Sequence, residues 1–178
     1  MKRLLLPLIS LFFFALCAKA QTAKYPIVKG EGGIYEIEEA TERPDPNKEY
    51  KIFVDLTSGS NNPRDVNRWV NNLARMMNLH GIAGVPKENI DLKVVVHGGA
   101  IYSIVNDEKY QDRYNTDNPN LKVYEALKEA GAEFYICGQS MIARDLEQED
   151  LWSGAEIALS ALTTITTYVP EGYTYLKF

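Results

Sequence analysis

Histidine and cysteine are scarce: the chain has 178 residues, with two of each. A zinc site needs three or four closely spaced ligands. His80, His97 and the cysteines are too scattered to supply them, so no metal site is expected. The two cysteines, Cys17 and Cys137, also exclude a disulfide scaffold. No block of basic residues is present, which makes nucleic acid and anionic membrane surfaces poor partners. Neither GxxxxGK[ST] nor GxGxxG occurs, and no internal repeat or low-complexity tract stands out. Beyond residue 20 no run is long and apolar enough to read as a membrane span.

The first 20 residues read as a signal peptide. Lys2 and Arg3 precede an apolar run from Leu4 to Ala18, and Ala18-Lys19-Ala20 has the small-x-small form of a cleavage site. Leu16 stands before Cys17 where lipidation needs a small residue, which argues against a lipid anchor. Cleavage after Ala20 predicts an exported, periplasmic protein that starts at Gln21. Removing Lys2, Arg3 and Lys19 lowers the basic count from 19 to 16 against 24 acids, a formal charge of −8. The remaining 158 residues (178 less 20) suffice for one domain with a hydrophobic core. They keep a single cysteine. An unpaired thiol in an exported protein is buried and inert, bridged to another chain, or reactive.

Residues 21–49 read as an N-terminal extension. Ile34-Tyr35-Glu36-Ile37 suggests an edge strand or hairpin, and Pro44 and Pro46 a loop. From residue 50 the pattern repeats strand, loop, helix. "KIFVDLTS" (51–58) is the first strand. Pro63 is placed to open a helix, with Trp69, Val70, Leu73, Met76 and Met77 on one face. "DLKVVVH" (91–97) has the apolar character of a strand covered on both faces, and "GGAIYSIVND" continues as a short helix. A helix starting at Pro119 is expected to stop at Gly131. "AEFYIC" (132–137) is the third strand, followed by a helical turn with Ser140 as its cap. "GAEIALS" (154–160) is the fourth strand, Ser160 caps the next helix, and "YTYLKF" is the last strand. This alternation predicts an α/β fold: a three-layer α/β/α sandwich around a mainly parallel sheet of about five strands.

Sites in such sheets lie beyond the carboxyl ends of the strands. Cys137 and His97 both fall there. A thiolate is favoured near a helix start or a cation. Gly138 permits close backbone approach, and amides around Gln139 and Ser140 suit an anion. Free cysteine is also among the most buried residue types, so reactive and inert readings both stand. His97, followed by Gly98, faces Cys137 if the second and third strands are neighbours; otherwise it is hydrogen-bonded structure. His80 reads as a helix C-terminal residue matched to the dipole. The 55–65 segment reads as ordinary capping before a helix, with phosphate or flavin binding a weaker reading. Tyr102, Tyr110 and Tyr114 mark a long polar connection that reads first as a solvated helix–loop surface and otherwise as the wall of a site. A cysteine–histidine hydrolase fits the residue types but lacks an orienting partner in the sequence.

"VVVHGGAIYSIVND", "NPNLKVYEALKEAGAEFYICGQSM" and "IALSALTTITTYVPEGYTYLKF", in that order, resemble the DsrE/DsrF-like proteins, in particular their exported single-domain branch. The resemblance covers roughly residues 50–178. It implies a compact α/β sandwich that assembles as a trimer or hexamer. It also implies a cysteine that carries sulfur as a persulfide between a protein donor and acceptor, with no dissociable cofactor. The cysteine at the matching strand end is Cys137. On that reading Cys137 is the nucleophile and His97 tunes or protonates it. Gly98, Gly138, Gln139 and Ser140 would form the pocket that receives the sulfur. The alternative is a non-catalytic oligomeric module that binds a small ligand or protein with the same fold.

Overall fold

The computed structural model describes residues 21–178; the expected signal peptide and Cys17 lie outside the described residues. Five strands form one sheet: β1 (Tyr50–Leu56), β2 (Ile90–Val96), β3 (Glu133–Cys137), β4 (Glu156–Ala158) and β5 (Thr174–Lys177). The order is β4-β3-β2-β1-β5, and every pairing is parallel. Five helices connect them: α1 (Arg68–Ile82), α2 (Asp107–Tyr114), α3 (Leu121–Glu129), α4 (Gly138–Ile142) and α5 (Ala161–Tyr168). The α/β sandwich around a five-stranded parallel sheet is thus as the sequence pattern predicts.

Strand alternation sorts the side chains into two layers. Ile52, Val54 and Leu56 of β1, Leu92, Val94 and Val96 of β2, and Phe134 and Ile136 of β3 face one side. There they pack with Val70, Leu73 and Met77 of α1 and Val123, Tyr124 and Leu127 of α3. The other face carries a smaller cluster of Phe53, Val95, Cys137 and Tyr173, covered by Ala161 of α5. Between β2 and β3 on that face, Lys93 is buried and lies 2.7 Å from Glu133 and 3.4 Å from Asp91.

Several boundaries differ from the sequence expectation, each for a local reason. The helix expected at Pro63 begins at Arg68. Asn62 holds residues 62–65 in a turn through Asp65 and the Arg64 amide, and Asn67 accepts from the Trp69 amide as the true cap. The helix expected at Pro119 starts at Leu121. There Asn118 and Asn120 are engaged in a buried hydrogen-bond network with Ser103, Val105 and Asn67. Ser140 is not a cap: Cys137 occupies that position, and Ser140 lies inside α4. The long connection after the 3₁₀ turn at Gly98–Ile104 contains α2, capped by Asn106. Residues 34–37 form no strand; a single antiparallel bridge joins Lys24 to Ile34. The extension is held instead by Asn78 of α1, whose side chain bonds the backbone of Ile27, Val28, Glu31 and Gly32.

Candidate functional site

Cys137 is the last residue of β3 and pairs with Ala158 of β4. It is only 4% exposed. Its thiol stands where α4 begins, next to Gln139 and Ser140, and packs with Ala161 of α5 in the smaller buried cluster. The starts of α4 and α5 thus both lie next to Cys137. Burial raises the thiol pKa, but the nearby Ala161, Ser140 and Gln139 amides and the Ser140 hydroxyl favour the thiolate and hold it below the ordinary value. Gly138 lets the strand end approach β4 closely, since a Cβ there would stand 3.0 Å from the Ala158 carbonyl oxygen.

His97 follows β2, which neighbours β3, but its bonded partner is on the other side. Its Nε2 lies 2.5 Å from Oδ1 of Asp55 at the end of β1. Asp55 is 3% exposed; its second oxygen accepts from Tyr175 Oη at 2.6 Å, with Lys177 Nζ 3.9 Å away. Gly98 links the two strand ends weakly, its amide reaching Ser140 Oγ at 3.4 Å. The carboxyl ends of β1, β2, β3 and β5 thus carry a buried thiol and a carboxylate-held imidazole on one edge of the sheet. Ser140, three residues after the thiol in α4, is the residue that meets the Gly98 turn.

Asp55 and Tyr175 were not singled out in the sequence. Asp55 did carry a signal: it is an acid in a strand whose other inner residues are apolar, and a buried carboxylate needs partners. Tyr175 lies 120 positions away in sequence, and nothing local points to it. His80, in the last turn of α1, donates from Nδ1 to the Met76 carbonyl and packs edge-on against Tyr50. Tyr110 and Tyr114 pack against each other, and Tyr102 meets Tyr114 beneath the Arg113 guanidinium. These tyrosines form a packed aromatic cluster. No group of three or more potential metal ligands occurs among the described residues. An apolar groove of about 410 Å³ runs between the extension and α1, lined by Tyr35, Ile37, Met76 and Leu79 among others. It shares no residue with the Cys137 site.

Residues 50–178, the span that holds the sheet and every residue of this site, match the family model of the DsrE/DsrF-like family. The chain belongs to the DsrE/DsrF-like family. Two solved structures share the fold of this DsrE/DsrF-like chain. One is a protein of unknown function, MTH1491, from Methanobacterium thermoautotrophicum. It is 19% identical, with 73% of this chain and all of that chain covered at a TM-score of 0.53. The other is the ychN protein from E. coli, 18% identical, covering 72% of this chain and 99% of that one at a TM-score of 0.52. No curated protein sequence gives a significant match. The extension, residues 21–49, lies outside the family match.

Proposed function

We propose that this protein is an exported, periplasmic sulfur carrier in which Cys137 accepts sulfane sulfur. The observation that carries the reading is the position of Cys137, at the carboxyl end of β3 where α4 begins and packed against the first residue of α5. Helix starts beside a thiol favour the thiolate, or the terminal charge of a persulfide in its place. In the proposed step the Cys137 thiolate attacks the outer sulfur of a donor persulfide. The donor's S–S bond breaks, the donor departs as a thiolate, and Cys137 becomes the persulfide. No net electrons are exchanged, and no dissociable cofactor takes part. His97, held by Asp55, supplies or takes the proton that accompanies the exchange. Ser140 and the Gln139 amide hold the charge. Assembly as a trimer or hexamer belongs to the same reading and is checked by sedimentation.

Mass spectrometry of the folded protein after incubation with a sulfane donor tests the assignment. The expected result is one added sulfur atom on the wild type and none on Cys137→Ser. An equal adduct on both, or none with any donor, refutes it. One observation favours a second reading, a binding module without chemistry: the sulfur is almost fully covered. In that case Cys137 reacts with thiol reagents only after denaturation.

A further inference from the structure

The extension and α1 face each other across the apolar groove of about 410 Å³, a size that suits a small molecule. Its floor is one stripe of α1 and its C-cap. Asn72, Arg75, Met76, Leu79 and Ala83 fall at helical spacing, which makes a face about 16 Å long. The opposite wall is the 35–44 loop, with Tyr35, Ile37 and Pro44. Ile37 is 63% exposed and Leu79 45% exposed, so both apolar walls stay open to solvent. The loop is braced from within. Arg43 Nη2 donates to the Ile37 carbonyl at 2.7 Å, and its Nε to that of Ala40 at 3.1 Å. Asn78 and Arg75 fasten the preceding residues to α1. The protein's own hydrogen bonds therefore hold the walls apart, and the groove is preformed.

Its polar groups are matched to an anion. Arg75 Nη1 donates to the Gly33 carbonyl at 3.1 Å, while its Nε and Nη2 have no protein partner among the described residues. Those two N–H groups are the parallel fork that takes a carboxylate in two hydrogen bonds. Neither Arg75 nor Arg43 makes an ion pair among the described residues. Of the two acids on the walls, Glu36 is already paired with Lys24, which leaves Glu42 against two guanidinium groups. His80, also on the floor, has Nδ1 on the Met76 carbonyl and its ring against Tyr50. We propose that the groove binds a slender carboxylate with an apolar tail, of the medium-chain fatty-acid type. The carboxylate takes the free fork of Arg75, and the tail lies along Met76, Leu79 and Ala83 beside Ile37. The wall that closes the site belongs to the extension, outside the family match, and the site shares no residue with that of Cys137. It is independent of the sulfur-carrier reading.

Isothermal titration of the folded protein with decanoate, kept below its micelle concentration, tests the assignment. One molecule should bind per chain. Octanoate should bind at least about fivefold more weakly, because two methylenes fewer are buried. Arg75→Gln keeps a donor for the Gly33 carbonyl and loses the charged fork. It should weaken decanoate at least about tenfold and decanol less than about twofold. Leu79→Glu leaves the Gly33 bond untouched and places a carboxylate on the floor, so it should weaken decanoate at least about tenfold more than decanol. Amide NMR shifts on adding decanoate should cluster in residues 35–44 and 72–83 and spare Cys137. The inference is overturned by any of four results: no binding of decanoate, decanoate and decanol weakened alike by Arg75→Gln, unchanged decanoate binding to Leu79→Glu, or shifts centred elsewhere. Sedimentation in which Leu79→Glu takes apart a wild-type oligomer also overturns it, because a second copy then fills the groove.

Discussion

At the residue scale the site turns on what favours the Cys137 thiolate. Burial raises its pKa, the Ala161, Ser140 and Gln139 amides and the Ser140 hydroxyl lower it, and only the hydroxyl belongs to a side chain. Ser140→Ala removes that donor. It should raise the midpoint of the Cys137 alkylation–pH profile and slow alkylation at neutral pH by about threefold to tenfold. Ala161 is the first residue of α5, where proline is tolerated because its amide has no helical partner. Ala161→Pro should therefore leave α5 intact by circular dichroism and still shift the midpoint upward. The sign also governs stability. A thiol whose folded pKa is lowered stabilises the fold above its unfolded pKa, and that contribution fades as pH falls through the lowered value. Cys137 and His97 could be picked from the sequence because each ends an apolar run before glycine. The neighbours of the sulfur could not, since Ala161 packs with Cys137 only once β4 lies beside β3.

Among the elements, the strands were the most legible, because buried parallel strands are short apolar runs with little ambiguity. Helix starts were less so. Pro63 and Pro119 look like openings, but buried Asn67 and Asn120 tie the chain to distant partners and set the starts after them. Asn78, fully buried in α1, makes the densest set of hydrogen bonds to the extension, beside the burial of Val28 and the Arg75 bond to the Gly33 carbonyl. Asn78→Ala strands several of the amides and carbonyls it serves. It should cost about 2–3 kcal/mol, and limited proteolysis should then cut within residues 21–49 while the sheet domain survives. Uniform protection of both parts would contradict that role. Between β2 and β3 the buried Lys93 is held above its ordinary value, at about 12; burial opposes the charge, but Glu133 and Asp91 outweigh it. The Lys93 ammonium in turn lowers Glu133. A lowered carboxylate stabilises the fold above its unfolded pKa and loses that effect as pH falls through its folded value. The difference in urea midpoint between wild type and Glu133→Gln should therefore be present at about pH 6 and shrink in acid, as pH falls through the lowered folded value. A constant difference would show that the pair contributes nothing through charge.

For the whole molecule, the alternating pattern from residue 50 carries the fold, and the family match covers the same residues. The Asp55–His97–Tyr175 cluster was hidden because it joins three strand ends far apart in sequence, which only the sheet order brings together. Export is a claim about the complete chain. Intact mass of the secreted protein should correspond to a start at Gln21, and retention of the leader would contradict it. The central claim is that Cys137 both takes and gives up sulfur, and a single-turnover handover tests it most directly. The folded protein is loaded with one sulfur, freed of donor and mixed with a small thiol acceptor, while both masses are followed. The account predicts that the protein loses one sulfur atom as the acceptor gains it, with Cys137 returned to its thiol. Sulfur that stays on the protein, or loading that occurs only after unfolding, would contradict it.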